Sequence, residues 1–236
     1  MQLEMLRPVD DIKDPSDVRV LVGCEKSGVG RRAFLNLGFD AFSCDIQPAD
    51  DKSNRHYQCD IRQIISDEEW DMLVVLHPPC TRLANSGVRW IKKPPPGKTH
   101  EQIQQELREG ASLFSDCWNA DVPFVAVENP IMHRFATELI KNYTKPNQIV
   151  HPYFFGDSVF KSTAWYLRNL PNLVPTNKLT PPKPGTEEHK QWSIIHRASP
   201  GPERTNFRSR TFEGHAAAFA KQWGEHVCNQ PLQQCN

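Results

Sequence analysis

Two short motifs of this chain carry side chains that could act together in a reaction. Pro-Pro-Cys at positions 78–80 directly follows the apolar run 72–76, and Glu-Asn-Pro at positions 128–130 directly follows the apolar run 125–127. A thiolate with a lowered pKa attacks carbon or sulfur, and a carboxyl group in a partly apolar pocket is held protonated or accepts from an amino group. If both runs are strands, Cys80 and Glu128 could converge on one small planar substrate.

Cys80 is the cysteine with the best claim to a chemical role, because two prolines stiffen the turn before it and the end of a strand would expose it to a cleft. Most single cysteines are small buried hydrophobic residues, and we assign that role to the four at positions 24, 44, 59 and 117. The chain holds seven cysteines without paired CxxC spacing, and its nine histidines show no ligand spacing. We therefore expect reduced thiols and no metal site.

A glycine-rich segment, residues 23–30, follows the apolar run 18–22. It lacks the strict GxGxxG spacing of dinucleotide sites and the GK[ST] ending of a phosphate loop, so phosphate binding is not favoured. Asp45, roughly 20 residues further on, lies where an acid accepts hydrogen bonds from the ribose of a dinucleotide or of S-adenosylmethionine. Asp60 suits an adenine amino group. Taken singly, each acid is equally well explained as a solvated turn residue.

Length and composition fit one α/β domain. The chain has 236 residues, 38% of them hydrophobic, which is enough for one sizeable core. Basic and acidic residues both number 28, so contacts with a polyanion would have to come from local patches. Without an apolar leader or a long apolar run, the sequence predicts a soluble cytoplasmic protein that does not enter a membrane.

Strand and helix patterns alternate along most of the chain. Apolar runs predict strands at 18–22, 39–44, 56–59, 71–76 and 122–127, with later strands at 149–155 and 162–167. Helices are predicted at 31–37, at 101–119 and at 214–227, the second with Ile103, Leu107, Phe114 and Trp118 on one face and the third with Phe219, Trp223 and Val227 on one face. This alternation predicts a mostly parallel sheet whose site lies at the carboxyl ends of its strands. We expect a loose lead-in at 1–17, one catalytic domain at 18–228 with a short irregular insertion at about 168–205, and a flexible tail at 229–236.

In this order, the motifs resemble those of the C5-cytosine DNA methyltransferases, most closely the compact phage and prophage type. The resemblance runs from about residue 18 to 227 and implies a Rossmann-like, S-adenosylmethionine-dependent methyltransferase fold. It implies Cys80 as nucleophile and Glu128 as the acid that activates the base. The implied cofactor-binding residues are Gly23, Glu25, Ser27, Gly28, Asp45, Ile46, Asp60, Pro78 and His215. The implied substrate-binding residues are Asn129, Lys161, Arg208, Arg210 and Arg82.

The resemblance also implies a reaction. The thiolate of Cys80 would add to C6 of cytosine and make C5 nucleophilic, while Glu128 would contact N3 and the exocyclic amino group. C5 would then take a methyl group from S-adenosyl-L-methionine. A cytosine inside a duplex would have to be flipped out of the stack, whereas one in a single strand would be directly accessible. We expect a monomer that acts on DNA.

Several positions depart from the family pattern. Lys161 and Thr163 stand where arginines are expected, and His215 stands where asparagine is common. The insertion is short for a target-recognition region, which implies a short or relaxed sequence context or a simpler substrate. Three alternatives therefore stay open: a non-catalytic module of the same fold that binds the cofactor or DNA, C5 methylation of RNA or a free nucleotide, and a nicotinamide oxidoreductase that uses Asp45. The last leaves both motifs unexplained.

Two basic stretches are candidates for contacts with DNA phosphates. The first follows the nucleophile and comprises Arg82, Arg89, Trp90, Lys92, Lys93 and Lys98, the last beyond three prolines. The second comprises Arg197, Arg204, Arg208 and Arg210. Phosphate contacts of this kind position a duplex without reading its sequence. A solvated linker that carries charge by chance explains either stretch equally well.

Overall fold

We describe the fold from a computed structural model, which describes residues 13–197 and 209–230. In these two ranges seven strands form one sheet: β1 (Arg19–Gly23), β2 (Asp40–Asp45), β3 (His56–Gln58), β4 (Met72–Val75), β5 (Phe124–Asn129), β6 (Gln148–Val150) and β7 (Thr163–Arg168). The helices are α1 (Val29–Leu35), α2 (Ile61–Asp67), α3 (Arg89–Lys92), α4 (His100–Trp118), α5 (Arg134–Thr137), α6 (Glu187–Trp192), α7 (Ile194–Arg197) and α8 (Glu213–Cys228).

The strand order is β3-β2-β1-β4-β5-β7-β6. The first five strands in this order are parallel, and β7 runs antiparallel to both β5 and β6. The predicted class, a Rossmann-like α/β fold with a mostly parallel sheet flanked by helices, is confirmed. The direction in which successive strands are added to the sheet reverses between β1 and β4. At such a switch point a crevice opens at the carboxyl ends of the strands.

Helices cover both faces of the sheet because side chains alternate along each strand. Val20 and Val22 point to the face covered by α1 and α8, where Phe219 and Trp223 are fully buried. Leu21 points to the opposite face, which α2 and α4 cover with a second apolar cluster. All seven apolar positions predicted to share a face of the second and third helices are buried: Ile103, Leu107, Phe114, Trp118, Phe219, Trp223 and Val227.

The long helix α4 begins at a capping box. The Thr99 hydroxyl accepts from the Gln102 amide nitrogen, and the Gln102 side chain accepts from the Thr99 amide nitrogen. This pair satisfies two of the amide groups that a helix start leaves without partners. It fixes the end of the segment that follows Cys80.

Two predicted stretches differ from the structure. The predicted strand 149–155 is wrong beyond Val150, because a 3-10 turn, Pro152–Phe154, replaces it and proline cannot donate to a sheet ladder. The insertion predicted to be irregular contains α6 and α7, and the side chain of Thr186 caps α6 by accepting from the His189 amide nitrogen. None of the described helices is long and apolar enough to cross a membrane.

Candidate functional site

Cys80 follows β4, and Glu128 lies near the end of the adjacent parallel strand β5. Val75 of β4 pairs with Val127 of β5, so both chains reach the carboxyl edge of the sheet at the same level. Glu128 is the next residue of β5, and Cys80 lies five residues beyond Val75, after a buried Pro78. The topology therefore brings the two predicted reactive groups to one edge.

The turn after Cys80 is hydrogen-bonded to the segment after Glu128. The Cys80 carbonyl accepts from the amide nitrogens of Leu83 and Ala84, which makes a tight turn directly after the thiol. The Asn85 amide nitrogen donates to the Ile131 carbonyl over 3.1 Å, and the His133 amide nitrogen donates to the Leu83 carbonyl over 3.0 Å.

A side chain adds a further link, because His133 Nε2 lies 2.6 Å from the Arg82 carbonyl oxygen. We call this set of links, together with the bridge between Ala84 and Met132, the cross-brace. It fixes the turn of Cys80 against the segment that follows Glu128.

Glu128 is buried and lines a small cavity that is partly open to solvent. Its Oε2 lies 3.4 Å from Nδ1 of His77. Burial raises the pKa of Glu128, but the charge of Lys161 and the contact with His77 outweigh burial, so the pKa lies below its ordinary value. Glu128 is therefore ionised at neutral pH, and the protonated state that the sequence left open is not the one the structure favours.

Several predicted substrate and cofactor residues share this cavity with Glu128. Lys161, Arg210 and His215 line it, and the other lining residues are Leu76, His77, Thr163, Trp165, Thr211, Phe212 and Phe219. Neither His77 nor Thr211 was among the predicted site residues. Both adjoin predicted positions, since His77 directly precedes Pro-Pro-Cys and Thr211 directly follows Arg210.

His215 is buried and neutral. Burial, with a smaller contribution from the charge of Lys161, lowers the pKa of His215 to about 3. Its Nε2 accepts from the indole nitrogen of Trp165 over 3.2 Å, and its ring stacks on Phe155 at 4.8 Å. The ring is thus fixed in orientation as well as in protonation state.

Seven of the nine predicted cofactor residues lie around the ends of β1, β2 and β3: Gly23, Glu25, Ser27, Gly28, Asp45, Ile46 and Asp60. Pro78 instead follows β4, and His215 lies in α8. Glu25 is 1% exposed, and its Oε1 accepts from Ser27 Oγ and from the Val29 amide nitrogen at 2.8 Å, which caps α1. Its Oε2 is buried and has no hydrogen-bond partner among the described residues. A buried acceptor without a partner costs roughly 1–3 kcal/mol, so this atom is suited to a donor supplied by a ligand.

Two glycines of this region have structural reasons to be glycine. Gly28, the residue before α1, has a φ of +70°, which favours glycine. A Cβ on Gly23 would stand 1.9 Å from Cδ1 of Ile61, so α2 packs directly on the end of β1.

Asp45 and Ile46 end β2 at the edge. The Asp45 Oδ1 accepts from the Gln47 amide nitrogen at 2.9 Å, and Ile46 exposes 74% of its surface. An apolar side chain this exposed beside a crevice suits contact with a flat ring. Asp60 instead caps α2, and both of its oxygens accept from the Arg62 side chain, so an adenine amino group would have to share it.

Other predicted site residues lie elsewhere. Asn129 is fully buried, and both ends of its amide lack a hydrogen-bond partner among the described residues. Arg82 forms an ion pair with Glu106 of α4 at 2.5 Å, and Lys98 contacts the same carboxylate. Part of the first basic stretch is therefore attached to α4. Arg208 lies outside the described residues, as does Arg204.

A second, larger groove opens beside the turn of Cys80. It has about 1210 Å³ of empty space, including the part open to solvent, and Pro79, Thr81 and Arg82 line it opposite the polar face of α4. Cys80 lies between lining residues of this groove, whereas His77 and Glu128 line the small cavity. No group of His, Cys, Asp and Glu side chains in the described ranges is arranged to hold a metal ion.

Comparison with known proteins gives a distant structural similarity. No family model matches the chain, and no curated protein sequence matches it. One matching crystal structure, from E. coli, is described as a candidate DNA modification methyltransferase encoded within a prophage; it gives a TM-score of 0.38 at 18% identity. The alignment covers 64% of this chain and 46% of that one. At this TM-score the similarity carries no functional argument, so such an argument has to come from the site.

Proposed function

We propose that this chain is an S-adenosylmethionine-dependent methyltransferase that methylates C5 of cytosine in DNA. The observation that carries the proposal is the shared edge: a cysteine follows β4, a buried, ionised glutamate lies near the end of the adjacent parallel strand β5, and the segments that follow them are joined by the cross-brace. A nucleophile and a carboxylate at one edge are suited to addition to C6 of a pyrimidine, because the ring must be attacked and held along its edge at once.

The chemistry assigns a separate task to each side chain. The thiolate of Cys80 forms a bond to C6, and the electron pair of the C5–C6 double bond moves to C5. Glu128 accepts from the exocyclic amino group and orients the ring, while the charge of Lys161 keeps its carboxylate ionised. Loss of the C5 proton to solvent and departure of the Cys80 thiolate then restore the double bond.

The residues around β1 and β2 fit the cofactor. Glu25 Oε2, the buried acceptor without a partner, suits the ammonium group of a methionine moiety, and exposed Ile46 suits the adenine ring. Asp45 keeps one carboxylate oxygen for ribose hydroxyls, since Oδ1 accepts from Gln47. When it is bound, S-adenosylmethionine supplies the electrophilic methyl group that C5 accepts.

Trapping of the covalent intermediate tests the role of Cys80. DNA that contains 5-fluorocytosine cannot lose a C5 proton, so with cofactor present we expect an adduct that survives denaturing electrophoresis. Cys80→Ala should abolish it. Cys228→Ala, a buried cysteine of α8, serves as the matched control and should retain it. The proposal is wrong if the unaltered protein gives no adduct or if Cys80→Ala still gives one.

The choice of substrate needs a second experiment. Transfer of tritium from labelled cofactor to DNA, tRNA and dCMP should be strongest for DNA. Preferred labelling of tRNA or dCMP would keep the chemistry and change the substrate. Binding of cofactor or DNA without any transfer would instead support a non-catalytic module.

A further inference from the structure

His77 links Glu128 to the segment before α8. Its Nδ1 lies 3.4 Å from Oε2 of Glu128, and its Nε2 lies 2.9 Å from Oγ1 of Thr211. The His77 side chain is 13% exposed and Thr211 is 6% exposed, so both contacts are largely protected from water. Residues 134 positions apart in the sequence are thereby joined at the base of the cavity.

The two contacts of His77 indicate which of its nitrogens carries the proton. A carboxylate only accepts, so the 3.4 Å contact with Glu128 is favourable when the hydrogen is on Nδ1. The unprotonated Nε2 then accepts from the hydroxyl of Thr211. Such a neutral imidazole continues a chain of donors from Thr211 through His77 to Glu128.

The charges around His77 favour this neutral form. Four groups face it from other parts of the chain: Glu128 of β5, Glu25 after β1, Lys161 before β7 and His215 of α8. Burial and the charge of Lys161 lower the pKa of His77, and these two effects outweigh the two carboxylates. A second positive charge beside Lys161 is thus avoided.

We propose that His77 is a positioning residue that holds the Glu128 carboxylate in orientation and makes that orientation depend on Thr211. The proposal rests on the function proposed above, because it assumes that Glu128 contacts the base. Docking of residues 209–212 against the sheet would then set the geometry of a carboxylate that belongs to a different element. A merely structural histidine would not connect these residues to catalysis.

Substitutions that mimic one imidazole nitrogen at a time separate the two contacts. His77→Asn keeps a donor near the Nδ1 position and loses the link to Thr211, whereas His77→Gln keeps a group near Nε2 and loses the donor to Glu128. We expect kcat to fall about 10-fold in His77→Asn and 30-fold or more in His77→Gln, roughly as expected for loss of a neutral and of a charge-assisted hydrogen bond. KM for DNA should change less than threefold in both, because neither contact touches phosphate.

Thr211 supplies the matched pair. Thr211→Val removes the hydroxyl at nearly constant volume and should lower kcat about 10-fold, as loss of one hydrogen bond does. Thr211→Ser restores the hydroxyl and should recover most of that loss. Equal kcat values for Thr211→Val and the unaltered protein would overturn the proposal.

A measurement without turnover keeps this inference separate from the proposed function. In protein labelled with ¹⁵N-histidine, the ring signals of His77, identified by their absence in His77→Gln, should show a neutral ring protonated at Nδ1 at pH 7. In Thr211→Val they should shift. A ring protonated at Nε2, or at both nitrogens, would overturn the assignment. If the unaltered protein shows the expected tautomer but transfers no methyl group, the proposed function has failed and the His77 contacts stand.

Discussion

The carboxylates on the two sides of the carboxyl edge of the sheet differ in how closely they are paired with basic side chains. On the side of β1 to β3 most carboxylates already have partners within the chain: Asp60 with Arg62, Asp51 with Arg31 and Arg32, and Asp50 with Lys26. On the side of β4 to β7, Glu128 is buried, its contact with His77 is 3.4 Å long, and the charge of Lys161 acts on it from further away. Paired groups hold loops in place, whereas a buried carboxylate with loose partners is suited to a ligand.

Glu25 is the exception on the first side. One of its oxygens caps α1 and the other has no partner among the described residues, so the same side chain both builds the loop and presents an acceptor. This contrast predicts that substitutions of carboxylates without close partners change activity, whereas substitutions that disturb the packing of the loops change stability.

The largest effect is expected from removing the charge of Glu128. Glu128→Gln keeps the shape of the side chain but places a donor where the exocyclic amino group needs an acceptor. We expect the rate of methyl transfer to fall about 1000-fold, the upper end of the range for losing one preorganised hydrogen-bonding group at a reacting centre, with little change in the melting temperature. Steady-state tritium transfer and a thermal melt measure the two quantities. A loss below threefold would remove Glu128 from the proposed mechanism.

A pair of glycines tests how rigidly each side is built. A Cβ on Gly87 would stand 2.1 Å from the backbone oxygen of Thr81, in the turn that follows Cys80. Because backbone cannot move away, Gly87→Ala should destabilise the fold by about 2–3 kcal/mol and abolish adduct formation.

Gly23→Ala is the matched control on the other side. There the Cβ would meet the flexible end of Ile61, so the cost should be about 1 kcal/mol and should shrink in the double variant with Ile61→Val. Urea unfolding measures all four proteins. Equal losses of unfolding free energy in Gly87→Ala and Gly23→Ala would contradict the expected difference between a clash with backbone and a clash with a flexible side chain.

The buried, neutral His215 predicts how stability depends on pH. Its pKa is about 3 in the fold against an ordinary value of 6.5, so between these values the unfolded chain binds a proton that the folded chain does not. Stability is then fully present above pH 6.5 and falls as the pH drops toward 3, by up to about 1.4 kcal/mol per pH unit. His215→Asn should flatten this dependence, although the lowered pKa of His77 leaves part of it. Urea midpoints at several pH values provide the measurement, and an unchanged slope would contradict the assignment.

Glu25→Gln should weaken cofactor binding with little effect on the fold. Glutamine keeps an acceptor for the Val29 amide nitrogen but places an amide donor where an ammonium group would bind. We expect the Kd for S-adenosylmethionine to rise about 10-fold, the equivalent of one hydrogen bond to a charged group. Titration calorimetry measures this value. Glu138→Gln, an exposed carboxylate, is the control and should bind as the unaltered protein does.

The smallest effect is expected where charges meet in water. Arg134 pairs with Glu138 one helical turn away, and its side chain is 85% exposed. Such pairs contribute at most about 0.5 kcal/mol, so Arg134→Ala should leave the urea midpoint almost unchanged. A large loss of stability in Arg134→Ala would contradict the expectation that this exposed ion pair contributes little.

The sequence predicts those parts of the molecule that follow from periodicity. Apolar runs and turn residues locate the parallel strands and the helices α1, α4 and α8, and the rule that sites lie at the carboxyl ends of strands brings Cys80 and Glu128 to one edge. Pro152 indicated that β6 ends before it, but the apolar residues around this proline led to the prediction of a longer strand.

Contacts between distant segments could not be predicted in the same way. The link between His77 and Thr211, the attachment of Arg82 to Glu106 and the pairing of Asp60 with Arg62 depend on side-chain positions that no local pattern specifies. The sequence also left the protonation state of Glu128 open, because that state depends on Lys161, 33 residues further along the chain.

The cross-brace has a consequence for how a substrate could be admitted. Because backbone hydrogen bonds join residues 83–85 to residues 131–133, the turn of Cys80 cannot move independently of the segment that follows Glu128. The relative position of Cys80 and Glu128 is therefore fixed before any ligand enters. If the substrate is DNA, as proposed, adaptation to it must come from segments outside the cross-brace, among which residues 89–98 are the nearest along the chain.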